Sequence, residues 1–277
     1  MKPASGLLAR FKSPQFSAAG GPWRVNLGCG RCFHPDWVNI DFVSHHPDVI
    51  ARDLRQPLPF PADRCEVIYH SHVLEHFPRS FAPVFLRECL RVLMPGGILR
   101  VVVPDLETIA RLYLKHLDGA LAGEETSAVR HEWMTLELLD QMVREESGGE
   151  MLRYWKQNPM PAGDFVVERL GSEVLQFITS HRAKARPSTT EDRKPPSAGS
   201  VARFRAGGEV HKWMYDRCSL RCLLASCGFA EITVCTASQS MIPGFSSYHL
   251  DVNEDGSVRK PDSLFMEARK PVNGKPS

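Results

Sequence analysis

The chain has 277 residues, a formal net charge of +2, 43% hydrophobic residues and 24% charged residues, as in an ordinary globular protein. So small a charge excludes a global attraction to nucleic acid or anionic membranes, and no apolar run approaches the ~18 residues of a membrane-spanning helix. Eight cysteines in a chain this long favour a reducing compartment over a disulfide framework. We therefore predict a cytoplasmic protein that does not span the membrane.

The amino-terminal stretch has only one short apolar segment, Leu7-Leu8-Ala9, and lacks the apolar core of a signal peptide. We predict a flexible leader over residues 1–20 and a single domain over residues 21–277.

The first strand-like run leads directly into a glycine turn, Val25-Asn26-Leu27-Gly28-Cys29-Gly30. Glycine lets a backbone approach a ligand closely, because no Cβ is in the way. The next two apolar runs, 37–42 and 49–54, carry Asp41 and Asp53 near their carboxyl ends. Because a carboxylate at a strand end can accept hydrogen bonds from ribose hydroxyls, this order predicts a site for a nucleoside-containing cofactor.

Two common nucleotide motifs are missing from this turn. After Gly28 and Gly30, the third glycine of a dinucleotide fingerprint is replaced by Phe33. The chain also has no Walker-type Gly-Lys-Ser/Thr. An adenosine group can still be held, but the usual cradle for a pyrophosphate is lacking.

Strands and helices alternate further along the chain. A helical pattern over 81–93 stops at Pro95-Gly96-Gly97, between strand-like runs at 66–71 and 98–103. This alternation predicts a mostly parallel sheet with helices on both faces. The remaining patterns predict helices at 105–117, 130–157 and 216–227, and strands at 230–236 and 263–269.

The segment 181–208 is basic, rich in proline and serine, and nearly free of large apolar residues. It predicts a mobile loop, because it has little apolar surface to bury. Its positive charges fit a solvated face, and contact with RNA or protein is the alternative.

The sequence His72-Val73-Leu74-Glu75-His76 matches the inverted zinc-protease motif His-x-x-Glu-His. On a helix, the two histidines would share one face. No partner motif marks a third ligand, and Cys29-x-x-Cys32 lacks a second cysteine pair at zinc spacing. We therefore assign no metal site from the sequence and keep a zinc hydrolase as the weakest alternative.

Several blocks in this order resemble the class I S-adenosylmethionine (SAM)-dependent methyltransferases, especially the methyltransferase type 11 branch acting on small molecules and glycans in bacteria. The blocks are VNLGCG, NID, DLRQPLPF, CEVIYHSHVLEHF and LRECLRVLMPGGILRVVVPD, within about residues 23–115, followed by HKWMYDRCSLRCLLASCGF and RKPDSLFMEARKP. The resemblance implies a Rossmann-like α/β fold, a seven-stranded, mostly parallel sheet with an antiparallel last strand. A helical insertion over 118–210, before the sixth strand, would cover the acceptor site.

The resemblance also implies a SAM site. Asn26 stands where the family usually has an acidic residue, so it can form hydrogen bonds but supplies no charge to the methionine ammonium. The implied cofactor-binding residues are Asn26, Gly28, Cys29 and Gly30 along the methionine and ribose, Asp41 at the ribose hydroxyls, Asp53 and Leu54 at the adenine, and Ser71 and His72 at the end of the fourth strand. The alternative is that the glycines form a plain turn and the aspartates cap helices.

Three residues are candidates on the acceptor side: His72, His211 and Asp105. An imidazole that acts as the base would make turnover depend on pH between about 5 and 8. Structural roles remain open for each residue: Asp105 can cap the following helix, and His211 can be incidental beside a core Trp213 and a capping Asp216.

We therefore predict a methyltransferase that uses SAM to methylate an oxygen or nitrogen of a small-molecule or glycan-like acceptor. A SAM-binding protein without catalysis and a protein or RNA methyltransferase are the alternatives. DNA adenine is disfavoured, because the chain has no Asn/Asp-Pro-Pro-Tyr/Phe motif. The sequence does not determine the acceptor or the oligomeric state.

Overall fold

The computed structural model describes residue 16, residues 20–182 and residues 196–272. These residues form one sheet of seven strands. The strands are β1 (Trp23–Leu27), β2 (Val38–Asp41), β3 (Val49–Ala51), β4 (Cys65–Ser71), β5 (Leu93–Pro104), β6 (Ala230–Cys235) and β7 (Ser263–Arg269).

The strands lie in the order β3-β2-β1-β4-β5-β7-β6. β1 to β5 are parallel, with Leu27 opposite Ile40 on one side and His70 on the other. β7 runs antiparallel to both β5 and β6. The predicted Rossmann-like fold, with a mostly parallel sheet and an antiparallel last strand, is confirmed.

Helices cover one face of the sheet and form the stretch between β5 and β6, whereas the chain from about 237 to 258 covers the other face, where helices were also predicted. In chain order the described helices are α1 (Ala82–Val92), α2 (Leu106–Leu121), α3 (Glu125–Val143), α4 (Gly149–Trp155), α5 (Gly163–Leu170), α6 (Ser172–Arg182), α7 (Ala198–Ala206) and α8 (Arg217–Ser226). None of them combines the length and the apolar composition needed to cross a bilayer.

Two sequence expectations for this stretch need correction. The helix predicted over 130–157 is divided into α3 and α4, because Gly148 and Gly149 have φ angles of +78° and +53°, which a continuous helix does not allow. The loop predicted over 181–208 contains α7, whose first turn is capped by Ser197 through the Ser200 amide. The rest of that loop, at 183–195, lies outside the described residues, as does most of the predicted leader 1–20.

The core has three parts. The first lies between the sheet and helices α1 and α8, and the second lies on the other face of the sheet beneath the chain from about 237 to 258. The third is the separate core of helices α2 to α6, centred on the buried Trp133 and Tyr154. Because this helical region has its own apolar core, it can form a stable wall beside the sheet.

A buried ion network joins the sheet to the chain that precedes β7. Arg100, on β5, is 0% exposed, and its guanidinium lies 2.7 Å from both the Asp251 and the Glu267 carboxylates. It also donates to the carbonyl oxygens of Thr236 and Gln239. Every partner of the buried cation is thus an acceptor, as a charge in a low-dielectric interior requires.

We predict that Arg100→Met lowers the free energy of unfolding by about 3–5 kcal/mol, because it leaves two buried carboxylates without their cation. Arg111→Met is the control. Arg111 pairs with Glu107 at 2.9 Å but is 74% exposed, so its loss should cost less than about 1 kcal/mol. Urea unfolding of the two variants measures the difference. Equal losses would contradict a structural role for the network.

Candidate functional site

A cavity of about 490 Å³ opens at the carboxyl ends of β1 and β4. We call it the cofactor cavity. Arg259 and Lys260, from the segment before β7, and Ser172 and Glu173, from the start of α6, lie on other parts of its wall. The predicted cofactor residues that line it are Asn26, Gly28, Cys29, Gly30, Ser71 and His72.

The two glycines of the loop both have positive φ angles, but they differ in what a Cβ would contact. Gly28 has φ +66°, and a Cβ there would collide with a methyl group of Val73. Gly30 has φ +53°, but a Cβ there would meet no atom within 4 Å. Because both positions use the left-handed region, glycine suits them. The open space at Gly30 leaves its backbone accessible to a ligand.

Asn26 is 1% exposed and holds the loop from below. Its Nδ2 donates to the Cys32 carbonyl oxygen at 3.0 Å and to Asn39 Oδ1 at 3.3 Å. Burial raises the pKa of Cys29 to about 12, so its thiol is protonated at neutral pH. A protonated thiol is a poor nucleophile, which disfavours redox or covalent chemistry at this position.

The predicted acidic residues lie at the expected strand ends. Asp41, the last residue of β2, accepts from the Gly30 amide at 2.7 Å and so joins the loop to the second strand. Asp53 is paired with Arg55 at 2.8 Å, and that hydrogen-bonded pair lowers the pKa of Asp53. Unlike the loop residues, Asp41, Asp53 and Leu54 do not line the cofactor cavity.

A second cavity, of about 390 Å³, adjoins the first. Helices α3, α4 and α6 contribute to its wall, so the helical region covers this side of the site. His72, Glu173 and Lys260 line both cavities. The two spaces therefore meet at these three side chains.

His72 and His211 both line the second cavity. Nε2 of His72 lies 2.8 Å from the Ser263 hydroxyl, and Nδ1 lies 3.5 Å from the Glu75 carboxylate. Burial is the main cause that holds the pKa of His72 well below its usual value, and it lowers the pKa of His211 to about 2. Such lowered pKa values favour neutral rings between pH 5 and 8, which disfavours the pH dependence expected if either imidazole were the base.

Asp105 takes the structural role that the sequence left open. It caps α2, accepting from the Glu107 amide at 3.1 Å and the Thr108 hydroxyl at 2.5 Å, and it lines neither cavity. Asp216 likewise caps α8, through the amides of Cys218 and Ser219.

The inverted zinc-protease arrangement does not form as the sequence pattern implied. His72 follows β4 with φ +55°, and only Leu74–His76 form a short 3₁₀ helix. The two histidines of the motif therefore do not share the face of one α-helix.

Sequence analysis missed the contribution of Lys260 and Asp262. Asp262 is 7% exposed and lines the second cavity, and burial raises its pKa to about 6. The signal was present in the block that begins Arg259-Lys260-Pro261-Asp262, where charged residues directly precede the apolar strand β7. The sequence alone does not show that the segment directly before β7 reaches the site, because this depends on the path of the chain in the folded protein.

Residues 26–101 match the family model described as "Methyltransferase domain". Among curated proteins, no sequence matches the chain.

Solved structures with a similar course of the chain include several methyltransferases. A SAM-dependent methyltransferase from Archaeoglobus fulgidus is 10% identical with a TM-score of 0.39, over 91% of this chain and 87% of that one. Human N-acetylserotonin methyltransferase in complex with SAM is 11% identical with a TM-score of 0.35, over 90% of this chain and 48% of that one. Similarity at this level carries no argument about cofactor or acceptor.

The family match covers the glycine loop and the ends of β1 and β4, which form one part of the cofactor cavity wall. The seven-stranded, mostly parallel sheet and the antiparallel last strand β7 were expected from the resemblance to class I methyltransferases, and both are observed. Residues 26–101 of this chain thus match the methyltransferase domain family model, within a fold of the class I, Rossmann-like type.

Proposed function

We propose that the protein transfers a methyl group from SAM to an oxygen or nitrogen of a small-molecule or glycan-like acceptor. The observation that carries this proposal is the pair of adjoining cavities that meet at His72. SAM would occupy the cofactor cavity, and the acceptor would occupy the second cavity. Methyl transfer is an in-line displacement, so the main task of the protein is to orient the two molecules.

The cofactor cavity and the strand ends beside it offer groups that suit each part of SAM. Backbone at Gly28 and Gly30 can approach the methionine and ribose, and Asp41 can accept hydrogen bonds from the ribose hydroxyls beside its bond to Gly30. Arg259 supplies a cation for the methionine carboxylate. Asp53 and Leu54 would lie at the adenine end.

The second cavity favours a small acceptor over RNA or protein. Its volume of about 390 Å³ lies in the range of small-molecule sites, and His211 and Asp262 in its wall are buried. Polar side chains converge on it, which suits a hydroxylated or glycan-like molecule. The family match argues against a hydrolase.

His72 is the residue we assign to the acceptor at the junction of the two cavities. A neutral imidazole can accept a hydrogen bond from the acceptor and orient its nucleophilic atom. Asp262, with a pKa raised to about 6, is better placed than either histidine to take up a proton near neutral pH. His211 would contact the acceptor from the same cavity.

We also propose that the protein works in the cytoplasm. All eight cysteines are free thiols, as expected in a reducing compartment.

Asp41→Ala should weaken SAM binding by about 1–3 kcal/mol, because it removes hydrogen bonds to a charged group. Calorimetric titration with SAM measures the change. Asp36→Ala is the matched control, since Asp36 is an exposed acid on the neighbouring loop, outside the cofactor cavity. Unchanged affinity in folded Asp41→Ala protein would refute the assignment of the ribose site.

His72→Gln should lower turnover by less than the roughly 10²–10⁴-fold that loss of a general base costs, because the neutral imidazole only orients the acceptor, while SAM affinity changes little. A screen of small hydroxylated and amine acceptors with methyl-labelled SAM supplies the substrate and the rate. His131→Gln, on α3 and outside both cavities, should retain turnover. If the His72 variant is as active as wild type, His72 has no role in turnover, and the proximity of SAM and the acceptor is enough for the reaction. If SAM binds but no acceptor is methylated, the protein is a SAM-binding protein without catalysis.

Turnover should fall as the pH is lowered through about 6, because Asp262 must be ionised to accept a proton and its pKa is raised by burial. His72 and His211 should add no further change between pH 5 and 8, since both remain neutral there. The pH profile of kcat for Asp262→Asn should lack the acidic limb. An acidic limb that persists in this variant would assign the base to another group.

A further inference from the structure

A buried cluster of three potential metal ligands lies at the side of the second cavity. Glu75 and His76 are adjacent in the short 3₁₀ helix after β4, and His211 comes from the segment before α8. One potential ligand atom from each residue lies within 4.8 Å of the others. The His76 and His211 rings meet edge to face, with centroids 4.8 Å apart.

Glu75 and His211 are buried side chains and Nδ1 of the half-buried His76 is a buried atom, yet they lack the hydrogen bonds that burial demands. Glu75 is 0% exposed and His211 is 5% exposed. Neither Glu75 carboxylate oxygen has a hydrogen-bond partner on another described residue, and the same holds for Nδ1 of His76 and Nδ1 of His211. A buried polar atom without a partner is costly to desolvate, so four of them in one place indicate a site for a ligand.

Backbone hydrogen bonds hold the two contributing segments together. The amides of Lys212 and Trp213 donate to the Glu75 carbonyl oxygen at 2.7 and 3.2 Å, and the His211 amide donates to the Gln141 carbonyl oxygen at 2.9 Å. These hydrogen bonds hold segments that are far apart in sequence next to each other at the cluster. Such preorganisation is typical of a site whose ligands must keep a fixed geometry.

We propose that Glu75, His76 and His211 bind a divalent first-row transition metal. Two imidazoles and one carboxylate form a ligand set used by catalytic zinc and by non-haem iron sites, and such sites keep a coordination position open. At bond lengths of about 2.1 Å, ligand atoms lie roughly 3–4 Å apart, so small side-chain rotations bring the three into range.

The neighbours of the cluster fit this role. His72 Nδ1 lies 3.5 Å from the Glu75 carboxylate, where it can orient the ligand as outer-sphere partners do. His76 and His211 line the second cavity, so the open position faces the space proposed for the acceptor. The metal would then bind an oxygen of that acceptor. This last role, unlike metal binding itself, rests on the proposed function.

The test uses the full-length protein, stripped of metal by chelation and titrated with Co²⁺ while its visible absorption is recorded. We expect uptake of about one Co²⁺ per chain, the d–d bands of nitrogen and oxygen ligands, and displacement by Zn²⁺. The near-ultraviolet band of cobalt–thiolate bonds should be absent. No uptake, or a thiolate spectrum, would overturn the proposal.

Variants identify the ligands. His211→Ala and Glu75→Gln should weaken Co²⁺ binding by more than the roughly 10–100-fold that loss of an outer-sphere partner costs. His131→Ala and Cys222→Ser, outside the cluster, should bind as wild type. Circular dichroism checks folding, and if Glu75→Gln does not fold, His211→Ala and the wild-type titration decide. Wild-type affinity in folded His211→Ala protein would also overturn the site.

Calorimetry with SAM on metal-free and Zn²⁺-loaded protein separates the two proposals. SAM binding without metal uptake would contradict only the proposed metal site. Metal uptake without SAM binding would contradict the proposed function and support the metal site.

Discussion

The position of β1 between β2 and β4 is the constraint on which the site depends. From β1 the chain builds the sheet outward through β2 and β3 and then crosses to β4 on the other side. In an open parallel sheet, this reversal of strand order leaves a crevice outside the carboxyl ends of the two central strands. The glycine loop after β1 and Ser71 at the end of β4 line that crevice.

The network around Arg100 connects stability to the site. Arg100 holds the Asp251 carboxylate, and the Asp251 carbonyl oxygen accepts from the Arg259 amide at 2.9 Å. The segment that delivers Arg259, Lys260 and Asp262 to the cavities is therefore anchored to a central strand. Because the anchoring charges are buried, they are little screened by salt or solvent.

The helical region between β5 and β6 determines the electrostatics of the second cavity. Its helices exclude water from side chains that would titrate freely on a surface, so His72 and His211 stay neutral and Asp262 retains its proton to a higher pH. The low dielectric also strengthens the electrostatic interactions between charges inside the cavity. A few oriented polar groups would then stabilise the charges of a sulfonium cofactor and a polar acceptor that meet there.

The sequence by itself determined the order of the strands, the glycine loop and Asp41 at its strand end, because strand patterns and glycine turns depend on local residue type. Local chemistry also indicated that Asp216 caps α8. The pairing of Glu75 and His76 with His211 and the approach of Asp262 were decided only by tertiary structure. These features depend on contacts between residues more than 100 positions apart and on burial, which shifts a pKa without leaving any local mark in the sequence.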